Sequence, residues 1–399
     1  MKNIEIAALT KKCCSCGICA GICPEKAISM GINSKTGELL PNVSAEKCIE
    51  CGLCLKVCPG LSNAERILSD NPSDHKHRQC SHLESHIGYI EDSELLENCT
   101  SGGIVSELVR TLLSVSAYES AFLVGTNQYA NFVTSSRVTA YLPGCSKSRY
   151  IAVSHEKAAE YMLSHKNERI IIVAVGCAVT GFRNLIRQYR LNADNYLLIG
   201  LFCDKVMTYH IWDYFGHKYN PEGCLTGLDF RNKLESGWPG DVILYFSNNK
   251  SMRVDRKERM QVKNIFQNER CMYCTDKLNE SSDISVGDNY TGKFAPKEGS
   301  SSIIVRTDTG KRALDQIRDK CFLTPVSVEE LYTSQQVNKK QKNMRNAKIK
   351  YKNISHAGIS GKNILHYTKS KLMLKAGRLF PKAPLLIQVL IKLKSTVTR

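Results

Sequence analysis

The sequence predicts a chain of α+β/α/β class. A small cysteine-rich N-terminal module comes first, then a larger α/β domain on a mixed sheet, then a basic C-terminal extension. Three observations predict it. Two copies of one cysteine array occupy the first 60 residues. Between residues 86 and 335, apolar runs rich in β-branched and aromatic residues alternate with stretches of helical periodicity, the pattern of an α/β domain. From Lys339 to Arg399 there are 16 Lys or Arg and no Asp or Glu. The expected boundaries are 1–62 for the module, 63–85 for a polar linker, 86–335 for the α/β domain and 336–399 for the tail.

The module is the most specific part. Cys13, Cys16, Cys19 and Cys23-Pro24 read C-x2-C-x2-C-x3-C-P, and Cys48, Cys51, Cys54 and Cys58-Pro59 repeat it. This is the spacing of bacterial two-cluster ferredoxins, in which the fourth cysteine of each array serves the other cluster. The expected ligand sets are therefore Cys13, Cys16, Cys19 and Cys58 for one [4Fe–4S] centre, and Cys48, Cys51, Cys54 and Cys23 for the second. Zinc needs four ligands and has no use for eight interleaved cysteines with two prolines. Cys14 reads as a spare thiol, and a turn containing Gly37 introduces the second array.

Composition narrows the setting. Eighteen cysteines in a small secreted protein would suggest a disulfide scaffold, but here eight fall in cluster spacing. The first twelve residues lack the apolar core of a signal peptide, so a reducing cytoplasm is the expected compartment. No run of 18 apolar residues exists, which excludes a simple spanning helix. The net charge of +17 belongs to the tail, because the other 338 residues hold 39 basic against 38 acidic side chains.

Within the α/β domain, Ala121–Gly125, Ile170–Gly176, Tyr196–Phe202 and Asp241–Ser247 read as strands. Ile104–Leu113, His155–His165 and Tyr209–Phe215 read as helices. Cys177 and Cys203 each follow a predicted strand, and Cys271 and Cys274 form a C-x2-C pair. Residues just past the carboxyl ends of strands line the ligand crevice of an open α/β sheet. These four thiols fit a further tetrathiolate site for iron–sulfur or zinc, or packing as small apolar residues. Ser101-Gly102-Gly103 opens the first predicted helix and suits a phosphate at a helix N-terminus, although most such turns merely cap a helix. Cys80, Cys99, Cys145, Cys224 and Cys321 read as structural, and His155, His165, His210 and His217 as surface or satisfied core residues. His75, His77, Cys80 and His82 crowd the linker, which reads as solvated chain with zinc as the alternative.

Taken together, several of these segments resemble the coenzyme F420 hydrogenase/dehydrogenase beta-subunit family over roughly residues 1–310. The resemblance rests on Ser101-Gly102-Gly103, Gly176-Cys177, Gly200-Leu201-Phe202-Cys203, Phe230-Arg231-Asn232-Lys233 with Gly237-Trp238, and Arg270-Cys271-x-x-Cys274. The last runs on into Asp276, Glu280, Asp283-Ile284 and Gly287-Asp288. It implies FAD in the α/β domain and a third [4Fe–4S] cluster on Cys177, Cys203, Cys271 and Cys274. It also implies that Ser101, Gly102 and Gly103 approach the flavin diphosphate, with Arg231, Lys233 and Asp288 near the cofactor pocket. The chain departs from relatives in Ala174-Val175-Gly176-Cys177-Ala178 and in Asp204-Lys205 and Thr208, which puts coenzyme F420 itself in doubt.

The expected activity is that of an iron–sulfur flavin oxidoreductase passing electrons between a ferredoxin-like one-electron carrier and a two-electron organic partner. The alternatives are a non-catalytic electron-transfer subunit and a reductase of surface-polysaccharide building blocks. In the tail, Leu385–Leu393 is too short to span a bilayer but suits an anionic membrane interface between lysines. A disordered or partner-docking extension is the other reading, and nucleic acid ranks below both because no reading motif is present.

Overall fold

The structure is a computed structural model that describes residues 3–62, 82–125, 132–220, 222–294, 296–338 and 372–396. In the N-terminal module, β1 (Ile28–Ile32) and β2 (Leu39–Val43) form an antiparallel hairpin around the Gly37 turn. Each cysteine array carries one short helix, Ile18–Gly21 and Leu53–Val57.

The α/β region follows with β3 (Glu84–Ile90), β4 (Ser120–Leu123), β5 (Val133–Thr134), β6 (Ser136–Val138), β7 (Val153–Ser154), β8 (Ile170–Val175) and β9 (Tyr196–Leu201). Then come β10 (Leu225–Asn232), β11 (Asp241–Phe246), β12 (Ser251–Val254), β13 (Ile284–Asp288), β14 (Ser301–Val305) and β15 (Cys321–Pro325). The main sheet has eight strands in the order β15-β3-β14-β13-β9-β8-β4-β6. Four adjacent strands, β13, β9, β8 and β4, run parallel, and the pairings on either side of them are antiparallel. The expected mixed sheet is therefore present.

The parallel centre explains the apolar runs. Ile170, Ile171, Ile172, Leu197, Leu198 and Ile199 are wholly buried, because helices cover both faces of a parallel sheet. On one face lies the helix Ile104–Ser114, which buries Leu108, Val109 and Leu112 against Ile171, Ile199 and Ile303. On the other lies the helix Gly176–Gln188, which buries Val179, Phe182 and Leu185 against Ile172 and Leu198. The predicted strand at Asp241–Ser247 belongs elsewhere. It is β11, the middle of a separate antiparallel sheet β10-β11-β12. Its apolar character matched the main-sheet strands, and only the tertiary pairing separates them. The linker expected at 63–85 lies mostly outside the described residues, and β3 begins within its last two positions.

The module is docked rather than tethered. Ile18, Ile22 and Val57 share one buried cluster with Phe182, Leu185 and Ala159. Gly17 has φ +71°, and a Cβ there would meet Ser154 Oγ at 2.1 Å, so only glycine allows this approach. His155 N donates to Cys16 O at 2.8 Å, and Asn184 Nδ2 donates to Val57 O at 3.3 Å. The last described segment is helical at 372–379 and again over Pro384–Thr396. Met373 and Ile387 join the core shared by the module and the three-stranded sheet. Arg378 reaches Glu38 of the module at 3.3 Å and Glu269 at 3.0 Å.

Phe182 sits at this docking surface, edge-on to His155 and wholly buried. Phe182→Ala should cost about 3–5 kcal/mol through the cavity it leaves. Denaturant titration of folded protein checks this, and a loss below about 1 kcal/mol would show that the helix is not pinned there.

Candidate functional site

The N-terminal thiols fall into two groups, and the grouping crosses between the arrays. Cys13, Cys16, Cys19 and Cys58 lie within mutual electrostatic reach. Cys23, Cys48, Cys51 and Cys54 line one cleft together with Pro24, Ile28 and Leu53. The short helix of each array turns its third cysteine inward, and the chain then carries the fourth across to the other group. Backbone amides point at the sulfurs: Ser15 N donates to Cys13 Sγ at 3.4 Å and Ala27 N to Cys23 Sγ at 3.3 Å. Burial pushes the Cys13, Cys16 and Cys19 thiols well up and Cys58 up to about 12, with neighbouring sulfurs adding to it. No described cysteine is in a disulfide. Clustered, unlinked sulfurs with amide donors suit polynuclear iron, whose positive charge would replace the thiol protons.

The second set gathers at the carboxyl edge of the sheet. Cys177 is the second residue of the helix that follows β8, and Cys203 lies two residues past β9. Cys271 sits in the 3-10 turn Glu269–Tyr273, and Cys274 caps it. Asn279 ties the edge together, donating to Ala174 O at 3.0 Å and Leu201 O at 3.4 Å at the ends of β8 and β9. Cys177 and Cys203 are electrostatic neighbours, and Cys177, Cys271 and Cys274 all face the Arg270 guanidinium. Among the described residues, no three His, Cys, Asp or Glu side chains converge closely enough to hold a single metal ion. The group includes one thiol the sequence reading set aside. Cys14 Sγ donates to Lys12 O at 3.7 Å and lies within electrostatic reach of Cys177 and Arg270. It also lies within reach of Cys16 and Cys58, so it stands between the two thiol groups.

The six residues expected around a cofactor pocket are also brought together. Arg231 is 2% exposed. It donates to Asp288 at 2.9 and 3.2 Å, to Tyr150 Oη at 2.7 Å, to Thr100 O at 3.3 Å and to Pro239 O. Burial alone would raise the Asp288 pKa, but Arg231 outweighs it and holds the carboxyl below its ordinary value. With its donors committed in this way, Arg231 braces β10 against the end of β13 and the turn before the helix Ile104–Ser114. Within that turn, Ser101 Oγ donates to Ser300 O at 2.6 Å and Gly102 N to Ser301 Oγ at 3.1 Å. Gly103 has φ +76°, and a Cβ there would meet Ile90 at 2.5 Å, so this glycine is required by packing on β3. No side chain caps the helix that follows.

Lys233 donates to Leu96 O and Glu298 O, both at 2.7 Å, and burial pulls its pKa down to about 8. Sequence reasoning missed its neighbour Lys147, a second cation whose pKa burial lowers. Both lie close to Cys99, beneath the same turn. Buried Lys233 and half-buried Lys147 lie near a helix N-terminus that has no side-chain cap, an arrangement whose charge would favour an anion. Of the cysteines read as structural, Cys99 and Cys321 are buried, Cys145 is half-buried and Cys224 is exposed. His155 bonds Ser135 Oγ and His210 bonds Ser34 O, while His75, His77 and Cys80 lie outside the described residues.

Residues 12–60 match the family described as 4Fe-4S dicluster domain, and residues 167–330 match the C terminus of the coenzyme F420 hydrogenase/dehydrogenase beta subunit. Among solved structures, the chain is similar to one from the xenon-derivatized F420-reducing [NiFe] hydrogenase complex of Methanosarcina barkeri. The TM-score is 0.51 at 15% identity, covering 72% of this chain and 97% of that one. That likeness is one of fold. No curated protein matches the sequence.

Removing Asp288 would leave Arg231 buried and unpaired. Asp288→Ala should cost about 3–5 kcal/mol of stability. A change in denaturant midpoint equivalent to less than about 1 kcal/mol would refute the bracing role.

Proposed function

The chain carries the C-terminal domain of the coenzyme F420 hydrogenase/dehydrogenase beta-subunit family behind a 4Fe-4S dicluster domain, and on that premise we propose that it is an iron–sulfur flavoprotein oxidoreductase. It exchanges single electrons with a ferredoxin-like carrier and electron pairs with an organic partner. The observation that carries the reading is the succession of three thiol groups from the module surface to the carboxyl edge of the main sheet. In this reading Cys13, Cys16, Cys19 and Cys58 hold the first [4Fe–4S] cluster, and Cys23, Cys48, Cys51 and Cys54 hold the second, outer one. Cys177, Cys203, Cys271 and Cys274 hold a third. FAD occupies the crevice beside it. The clusters supply one-electron carriage, and FAD supplies exchange between single electrons and pairs.

Each end of the path has supporting features. Cys51 is exposed, and Lys56, Arg187 and Arg190 border a pocket on the neighbouring surface, charges that suit an acidic carrier protein. At the inner end, the N-terminus of the helix Ile104–Ser114, Lys147 and Lys233 are disposed toward a diphosphate. Arg231 and Asp288 keep that turn in place. Docking of the module by Ile18, Val57 and Phe182 keeps the first and third thiol groups adjacent, as short-range electron transfer requires. The two-electron partner is an organic hydride carrier, with a deazaflavin such as F420 as one candidate. A non-catalytic electron-transfer subunit would lack the flavin, and a polysaccharide reductase would differ only in its organic acceptor.

Anaerobically prepared protein should hold about twelve iron atoms and one FAD per chain. Cys177→Ser should lose about four iron atoms and uncouple flavin reduction from a one-electron donor. Full iron content or normal flavin reduction in that variant would defeat the path.

A second reading concerns the C-terminal segment. No described helix is long and apolar enough to cross a membrane. Its helix Pro384–Thr396 docks through Ile387, yet Leu385 is 81% exposed, and Leu379, Phe380, Leu386 and Val389 are also exposed. Lys375, Lys382 and Lys392 accompany this apolar ridge within a stretch that has no acidic residue from 339 onward. An anionic membrane interface matches both features. The chain should pellet with vesicles containing phosphatidylserine, and Leu385→Glu with Leu386→Glu should abolish pelleting. Unchanged pelleting of the double variant would rule out this ridge as the contact.

A further inference from the structure

Arg270 is a buried cation that makes no salt bridge to a carboxylate among the described residues. It is only 8% exposed, and its Nη1 has no hydrogen-bond partner among the described residues. The adjacent acid, Glu269, is engaged by Lys11 at 3.1 Å and by Arg378 at 3.0 Å. The groups that stabilise the Arg270 charge are instead sulfurs: Cys14, Cys274, Cys177 and Cys271, in that order. Its field also reaches Cys58 in the neighbouring thiol group. The backbone fixes this placement, because Asn268 accepts from Arg270 N at 3.0 Å while its Nδ2 donates to Ser15 Oγ of the module at 2.9 Å.

An unpaired guanidinium is costly to bury, and burial is tolerated where opposite charge surrounds it. Arg270 stands between two sets of thiols whose deprotonated, iron-bound forms are anionic. We propose that Arg270 is the counter-charge shared by the first and third clusters and that it sets the reduction potential of the third. The proposal rests on the three-cluster reading above. A [4Fe–4S] centre gains one negative charge when it accepts an electron, and its potential follows net charge and hydrogen bonds to sulfur. A fixed cation beside it favours the reduced form. Electrons then move from the outer clusters toward the sheet edge, each arriving charge being balanced by Arg270 without proton uptake. Cys14 takes part as the sulfur whose charge acts most on Arg270, and it also lies within electrostatic reach of Cys58 and Cys177. The outer group of Cys23, Cys48, Cys51 and Cys54 lines a cleft of its own, and so serves as an internal reference.

The test is redox titration of the full chain followed by electron paramagnetic resonance, with iron counted in every sample. Signals are assigned by comparison with Cys177→Ser. In Arg270→Gln the one-electron reduction equilibrium of the third cluster should shift at least tenfold toward the oxidised state, about 59 mV for one electron. The first cluster should shift less, and the outer cluster should stay put. Arg270→Lys keeps the charge but loses the fork of donors, so its shift should be smaller and in the same direction. If Arg270→Gln loses iron, the lysine variant carries the comparison. Unchanged potential of the third cluster with iron retained, or equal shifts in all three clusters, would overturn the assignment. Fewer than about twelve iron atoms in the unaltered chain, or no iron loss in Cys177→Ser, would instead sink the three-cluster reading and this assignment with it.

Discussion

The burial of the helix Gly176–Gln188 between the main sheet and the cysteine-rich module governs the rest of the molecule. Its sheet side is held by Ile172 and Leu198, its module side by Ile18 and Val57, and its first turn carries Cys177. One rigid element thus fixes the distance between thiols on two separate parts of the chain. If that packing loosened, Cys14 and Cys177 would part, and the close sequence of sulfur groups would break at its middle. Packing here determines the chemistry, because electron transfer between centres depends on separation more than on any single side chain's reactivity.

The two buried arginines show how differently one residue type can be used. Arg231 is neutralised by a bidentate carboxylate and surrounded by carbonyl and hydroxyl acceptors, so its charge is spent on holding strands and a turn in register. Arg270 lacks such an acid and faces polarizable sulfurs. The first arrangement is stable in either redox state. In the proposed three-cluster reading the second would change energy with each arriving electron, so a cation buried there would have a functional consequence.

Much of this was legible in the sequence, and what was not has physical causes. The cysteine arrays were readable because cluster ligation imposes a rigid spacing, and their crossed grouping follows from it. The central strands were readable because a parallel sheet buries both faces and leaves continuous apolar runs such as Ile170–Val175. The strand Asp241–Phe246 was found but could not be allotted to its sheet, since pairing is decided by distant residues. Lys147 was missed because a lone lysine in a loop becomes notable only when folding buries it beside Lys233. A Cβ on Gly102 would meet backbone of β3 and β14, and one on Gly103 the Ile90 side chain, so packing by itself requires both glycines. Cys14 was set aside for want of spacing, and only folding brings it beside Cys16, Cys58 and Arg270.

The ion pairs of Arg378 join the residue at position 378 to Glu38 near the start and to Glu269 beside the C-x2-C turn. During synthesis the module and the sheet leave the ribosome long before this side chain does. Lys11 can engage Glu269 from the moment both are made, so Arg378 adds a second, later contact that closes the final helices over a module and sheet edge already in place.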